Sequence, residues 1–572
     1  MKMMKKRIVY LVIPILLLAG MTMGTANEVQ AEDTPYYGKV YSQPDQVLNL
    51  YPAPERDLTT PAFMKDNKAF TTQEEMLQFI HKLEKESDNI TIKNIGTSIE
   101  DRSIPAMFFA EDGKYDKHKP TVWLQGQIHG NEPAAGEGVL ATMQSLAGSF
   151  GDNVLSKINV IVVPRVNPDG SYAFDRHAAN GLDANRDHIK FDLPEVKAIH
   201  QLHNQYRPEV TIDAHEYSVG NELFSDLGEE GYLKYHDITI LSGKNLNIPQ
   251  EIRDVSNDLF IDNAQEQLKE KGYSSRNYYV TGRDDEDVVI KEGGTDPRIG
   301  RNAFGLTPSI SFLVESRGIG IGRENFARRV ASQQETHESI IETTAQNAKE
   351  IKKLVWNARK DIVKKGFLAR DNDEIIVEDK RAEQDNETLE VVDIAKGDTK
   401  DIPVQYFSSS DAIPTLTRER PQAYFIDKSE KEVIEKLKLS GVHAFQLPFD
   451  VNLNVEAYKV TSKEDGGFYE GYNRTNVQTD LSNKRKKIEK GTYVVPTAQV
   501  SANLAAIALE PESDDSYVTF NIISSAEGET LPIYRYHRDQ AFQRYGKNKL
   551  HQQQQDAGSE KFNSWLQEKS KK

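Results

Sequence analysis

An α/β fold is what this 572-residue chain predicts: a mixed, mainly parallel sheet sandwiched by helices, followed by a second α+β or β-rich unit. Three observations predict it. Apolar runs at 121–127, 209–213 and 309–314 are continuous rather than alternating, as strands buried on both faces require. Stretches with helical spacing, such as Val196, Ile199 and Leu202, lie between them. Each run is also followed at its carboxyl end by residues able to bind or catalyse, which is where open α/β sheets hold ligands.

The chain begins as a secretory signal, residues 1–31. Lys2, Lys5, Lys6 and Arg7 form a basic start, 8–20 an apolar core, and Val29-Gln30-Ala31 a small-residue cleavage site. The apolar core is shorter than the roughly 20 residues of a spanning helix. The expectation is therefore a secreted protein, extracellular or cell-wall associated, with no stable membrane anchor after cleavage. There is no cysteine, which excludes a disulfide framework, a thiolate nucleophile and a cysteine metal site. A large secreted chain without cysteine fits a bacterial exoprotein. Residues 1–31 carry four basic groups and one acidic group, so their removal takes the net charge from −17 to −20. Such acidity opposes nucleic-acid binding.

Residues 32–66 are rich in Pro, Asp and Tyr and read as a surface extension. The first folded unit is expected at 67–364. Thr71 or Thr72 can cap a helix running to about Glu86, and 90–96 and 103–110 read as strands. Pro133 suits a first helical turn, so a helix follows the 121–127 strand. A strand at 158–163 precedes the turn Asn167-Pro168-Asp169-Gly170. A helix is expected over 193–206, long loops with a helix at 262–271 across 218–300, and a helix or helix pair over 323–364. Residues 365–386 are acidic and read as a linker, 387–545 as an accessory unit, and 546–572 as a low-complexity tail. Within the accessory unit, QAYFID, GVHAFQLPF, VEAYKV, TYVVP and YVTFNII read as strands, and 430–439 and 502–509 as helices. The run KRKKIEK at 484–490 reads as a solvated face, with contact to an anionic cell wall as a second use.

The chemistry centres on His129 and Glu132, three residues apart just past a buried strand. That spacing alone is weak: His81 and Glu84 repeat it on a charged amphipathic helix. Support comes from His215 and Glu315, each at the end of another apolar run. Two histidines and one carboxylate, with a fourth position left to water, form a ligand set for catalytic zinc. Zinc lowers the pKa of bound water to about 7, and a further carboxylate then serves as general base. Glu315 is the candidate.

These stretches resemble the zinc metallocarboxypeptidases of the carboxypeptidase A type over roughly residues 68–340. The resemblance rests on HGNE at 129–132, NPDG at 167–170, LDANRD at 182–187, IDAHEY at 212–217 and VESR at 314–317. It implies a carboxypeptidase-like fold and one zinc ion per chain, held by His129, Glu132 and His215. It implies that Asp183 orients the first histidine, that Asn185 and Arg186 hold the substrate's terminal carboxylate, and that Arg176 polarises the scissile carbonyl. Glu315 matches the general base acting on a zinc-bound water. The partner implied is a peptide with a free C-terminal carboxylate. The family's substrate-capping tyrosine is not in its usual place, since no tyrosine lies between Tyr279 and Glu315. Phe304, an arginine, Tyr278 or Tyr279 are candidates for its space, and Arg298 or Arg301 could favour an acidic C-terminal side chain. Residues 490–513, KGTYVVPTAQVSANLAAIALEPES, also resemble a C-terminal unit of some bacterial relatives. Two other functions fit the same residues: a cell-wall peptidase cutting muropeptide amide bonds, and a binding protein that keeps the fold without the chemistry.

Overall fold

Backbone pairing lays the continuous apolar runs side by side in an eight-stranded sheet. The computed structural model describes residues 38–64, 69–285, 287–368 and 373–537, so the expected signal at 1–31 and tail at 546–572 lie outside the described residues. The strand order is Ile90–Thr97, Ser103–Phe109, Asn159–Val163, Thr121–Gly126, Val210–Ser218, Ile310–Ile319, Ile238–Ser242 and Ser275–Asn277. The four central strands, from Asn159–Val163 to Ile310–Ile319, are parallel. Antiparallel pairs flank them on both sides. This is the mainly parallel mixed sheet that the apolar runs predict.

Both faces are covered, which is why the runs show no polar alternation. Val122 and Leu124 enter one core with Val139 and Met143 of helix Pro133–Leu146 and Ile340 of helix Phe326–Gln346. Trp123, between them, enters the other with Val196, Ile199 and Leu202 of helix Pro194–Tyr206. Thr72 starts the first long helix, Gln73–Glu86, through a full capping box with Glu75. The decoy pair sits on that helix, His81 being more than half exposed and 3.4 Å from Glu84.

Several expectations need correction. The strands carrying His215 and Glu315 do not stop before those residues; they continue to Ser218 and Ile319. The 218–300 stretch is not chiefly loop: it supplies strands Tyr232–Lys234, Tyr279–Asp284 and Asp287–Glu292 to a five-stranded sheet with Glu374–Asp393 and Asp398–Glu419. The stretch expected as a linker is therefore strand from Glu374 onward. Its charges sit on exposed or half-buried positions, while Ile375 and Val377 are buried. YVTFNII at 517–523 forms turns rather than a strand, although Tyr517, Val518, Phe520 and Ile523 are fully buried. The extension does more than cover a surface, since its Val47 and Tyr51 are buried against Val219, Leu233 and Ile321.

The later chain builds a six-stranded sheet from Phe445–Gln446, Tyr493–Pro496, Ala423–Ile426, Thr530–Tyr536, Val451–Tyr469 and Tyr472–Ile488. Helices Lys431–Leu439 and Ala502–Leu509 accompany it. The basic run at 484–490 begins on the last, largely exposed strand of the hairpin. Among the described residues no helix is long and apolar enough to cross a membrane.

Candidate active site

Strand register creates the site. Residues Val210–Ser218 and Ile310–Ile319 pair in parallel with His215 opposite Glu315. On the other side, Gly126 pairs with Ala214, so the chain leaving that strand delivers His129 beside His215. Gly130 is obligatory in this loop, because a Cβ there would lie 1.9 Å from the Gly170 carbonyl carbon. That close approach ties HGNE to the turn at 167–170, which Asn167 closes by accepting the Gly170 N–H at 2.8 Å.

His129, Glu132 and His215 converge, all buried, with one ligand atom from each within 4.8 Å of the others. Nδ1 of His129 is 2.7 Å from Glu132 Oε1, and Nδ1 of His215 is 2.9 Å from Oε2. The two Nδ1 atoms face each other at 3.2 Å. Ligand nitrogens about 2.0–2.1 Å from one tetrahedral zinc ion would be about 3.3 Å apart, so the spacing fits that ion. The back of each ring is held by a carboxylate, as metal-binding imidazoles require. His129 Nε2 lies 3.1 Å from Asp183 Oδ1. His215 Nε2 lies 3.1 Å from Asp213 Oδ2 as an ion pair, its N–H not aimed squarely at that oxygen. Asp213 in turn accepts from Gln125 Nε2 at 3.0 Å.

Electrostatics match this arrangement. Burial alone would raise the Glu132 carboxyl, but the adjacent His129 and His215 outweigh it and hold the group well below the usual range. Burial likewise opposes a charge on His215, yet Asp213 and Glu132 on either side push its pKa well up. Strand alternation explains why the neighbouring Glu216 takes no part. It points to the other face, where it accepts from Arg329 at 2.6 Å and from the Ala134 N–H at 2.8 Å, at the start of helix Pro133–Leu146.

Glu315 is buried in the same space and has no ion-pair partner among the described residues. Burial pushes its carboxyl up to about 8; Glu132 adds to the rise, while His215, Arg176 and Lys234 oppose it. Arg176 forks onto Asp183 Oδ2 through Nε at 3.1 Å and Nη2 at 2.8 Å. Its Nη1 reaches to 3.2 Å from His129 Nδ1 and 3.6 Å from Glu132 Oε1. Asn185 accepts the Gly300 N–H at 2.8 Å, and its Nδ2 lies 3.3 Å from His215 Nε2. Arg186 is half-buried, donates to the Asn185 carbonyl at 2.8 Å, and pairs with no carboxylate among the described residues.

All eight residues singled out in the sequence thus lie around one centre. Of the candidates for the missing tyrosine, Tyr278 is the one that feels the charges of the centre: burial and then Glu315 raise its phenol pKa, while Arg301, Arg186 and Arg176 oppose the rise. Tyr279 instead lies by Arg276 and Lys234. Phe304 is excluded, being packed against His203 with ring centroids 4.2 Å apart. Arg298 is committed to Asp515 at 2.6 Å and Asp296 at 2.8 Å. Sequence reasoning missed Asp213. Its signal was available: two residues before His215 on one strand, it must share that residue's face.

Similarity to known proteins extends over most of the chain. The family pattern described as zinc carboxypeptidase matches residues 76–239. Carboxypeptidase 2 of Trichophyton equinum is 33% identical over 488 residues, covering 83% of this chain and 89% of that protein. Carboxypeptidase 2 of Trichophyton rubrum is 32% identical over 522 residues, covering 86% and 94% respectively. These relatives are fungal, so they lend nothing to the expectation of a bacterial source. Among solved structures, carboxypeptidase A from Helicoverpa armigera is 17% identical with a TM-score of 0.38, over 53% of this chain and 80% of that one. At that level the likeness adds nothing to the case.

Proposed function

The chain belongs to the zinc carboxypeptidase family and is a metallocarboxypeptidase; from that premise we propose that it is a secreted exopeptidase that removes C-terminal residues from peptides with one zinc ion. His129, Glu132 and His215 would hold the ion through Nδ1, a carboxylate and Nδ1. Zinc bound there would supply a Lewis acid for the carbonyl and lower the pKa of water in the site to about 7.

The rest of the chemistry belongs to side chains. Glu315 takes the proton of the attacking water and passes it to the leaving amine, and the lack of an ion-pair partner for it among the described residues keeps it free to do both. Arg176, braced by Asp183, presents Nη1 to the oxygen on which charge develops; losing such a donor typically costs about 10²–10³ in rate. Arg186 takes the terminal carboxylate of the substrate. Asn185 assists, since with His215 Nδ1 given to the ion its Nε2 carries a hydrogen and accepts nothing, which leaves the Asn185 amide hydrogens available. Tyr278 closes over the bound residue from the neighbouring edge of the sheet.

One observation carries the exopeptidase reading: Arg186 is a half-buried guanidinium, next to Asn185 in the chain, with no carboxylate of its own among the described residues. A planar cation left unpaired beside a peptidase centre suits a substrate carboxylate, which it can grip with two parallel bonds. The test is mass spectrometry of a peptide library digested by the purified protein, with and without chelator, alongside the same peptides amidated at the C-terminus. Stepwise loss of C-terminal residues is expected only from free acids and only without chelator. Internal cleavage, or equal attack on the amides, would refute the assignment.

A further inference from the structure

The hairpin formed by Val451–Tyr469 and Tyr472–Ile488 lies far along the chain from every site residue, yet its tip touches the site. Tyr469 and Tyr472 pair across it, so Glu470 and Gly471 form a two-residue connection. Both have positive φ, 47° at Glu470 and 84° at Gly471. A connection of this kind needs left-handed backbone at both central residues, and Asn or Asp before Gly is the preferred solution. Glutamate in the first position is strained there, and a strained residue invites the question of what its side chain does.

That side chain leaves the hairpin altogether. Glu470 Oε2 accepts the backbone N–H of Asp183 at 2.8 Å, across 287 residues of sequence. Asp183 is the residue whose carboxylate meets His129 on one oxygen and Arg176 on the other. It also begins the short turn Ala184–Arg186 by accepting the Asn185 N–H at 2.8 Å. Further contacts hold the tip in place. The fully buried Lys190 donates to the Glu470 carbonyl at 3.2 Å, and the Tyr472 hydroxyl donates to Asp192 at 2.9 Å. The Tyr469 ring lies 5.2 Å from the guanidinium of Arg298.

We propose that the tip of this hairpin is part of the peptidase centre, with Glu470 a positioning residue that fixes Asp183 and, through it, His129, Arg176 and the turn bearing Asn185 and Arg186. The inference rests on the metallocarboxypeptidase reading of that centre. It makes the later chain a component of the site.

The strain in the turn gives a test that separates positioning from general support of the fold. In the full-length protein, Glu470→Asn suits the backbone at that position but is too short to reach the Asp183 N–H. Thermal stability should be kept or increased. The zinc dissociation constant, measured by chelator competition, should rise, and kcat/KM for a C-terminal peptide should fall, each by about threefold to tenfold. That is less than the 10- to 100-fold typical of groups contacting a metal ligand directly. Glu470→Gln, which retains an oxygen at the same reach, should recover most of the loss. Zinc affinity and kcat/KM within twofold of the parent in Glu470→Asn would overturn the proposal. So would a loss of stability that accounts for both effects and that Gln does not recover. Zinc affinity needs no turnover, so the two readings fail separately. Weakened zinc binding in a protein that hydrolyses nothing would sink the peptidase reading and leave this one standing.

Discussion

Replacing Asp183 by asparagine should damage the centre whichever way the new amide turns. The carboxylate receives four N–H groups: His129 Nε2 at 3.1 Å and the Asn185 N–H at 2.8 Å on Oδ1, Arg176 Nε at 3.1 Å and Nη2 at 2.8 Å on Oδ2. Four donors meet four lone-pair sites, so the group is saturated. An amide has one oxygen, and its NH₂ accepts nothing. With the oxygen toward His129, Arg176 faces an NH₂ and loses two charge-assisted bonds, worth about 1.5–3 kcal/mol each. Its Nη1 then no longer holds its aim, and kcat should fall by about 10²–10³. With the oxygen toward Arg176, the NH₂ faces His129 Nε2 and drives that ring's hydrogen to Nδ1. There it points at Glu132, 2.7 Å away, and occupies the position an ion needs. Zinc affinity should then fall about 10- to 100-fold, equivalent to about 1.4–2.7 kcal/mol. Chelator competition and steady-state kinetics on one preparation distinguish the two orientations. If zinc affinity and kcat/KM both stay within about threefold of the parent, the role given to Asp183 is wrong.

Glu315→Gln should retain zinc and lose about 10²–10⁴ in kcat; metal analysis beside the kinetics checks both halves, and retained turnover would remove Glu315 as the base. In the metal-free protein Asp213 and Glu132 outweigh burial and push the His215 pKa well up, whereas a metal-binding imidazole is neutral. Zinc binding should therefore release protons, seen by calorimetry in two buffers of different ionisation enthalpy, and affinity should weaken on acidification. His337, fully buried and away from the site, titrates oppositely: burial lowers its pKa to about 3 from 6.5. It stays neutral when folded, so its contribution to stability is complete above pH 6.5 and is lost as pH falls toward 3. At about 1.4 kcal/mol per pH unit, the cost at pH 5 is about 2 kcal/mol. In His337→Gln, denaturant titrations at pH 7 and pH 5 should differ by about that much less than in the parent; an unchanged difference would assign the acid sensitivity to other groups.

The parts of the fold legible in the sequence were those written in short-range pattern. Continuous apolar runs identified the central strands, and Thr71 or Thr72 marked where a helix starts, the structure choosing Thr72. The 218–300 stretch misled because its strands are short and are shared between two sheets, one of them completed by residues after 373. Strand Glu374–Asp393 misled for a related reason, since a long exposed strand keeps the acidic composition of a linker. YVTFNII has the composition of a strand, but burial rather than pairing selected its residues. Pairing partners distant in sequence leave no local trace.

The site divides along the same line, and the division has a physical origin. His129 and Glu132 lie three positions apart in the chain, and His215 and Asp213 are related by the two-residue repeat of a strand, so their mutual placement is fixed almost locally. His215 and Glu315 are 100 residues apart, but parallel register sets them opposite one another once the two strands are neighbours. Tyr278 and Glu470 have no such rule. One feels the charges of the centre from the sheet's edge and the other touches Asp183 from a hairpin tip, and each depends on tertiary packing that no spacing encodes. The groups that would touch the ion are those whose geometry the backbone enforces most directly. A metal centre tolerates errors of a few tenths of an ångström, whereas the residues that frame a substrate can be supplied by whatever part of the chain packs nearby. Variation among relatives should therefore concentrate at the positions of Tyr278, Arg301 and Tyr469, while the strands bearing His215 and Glu315 keep their register.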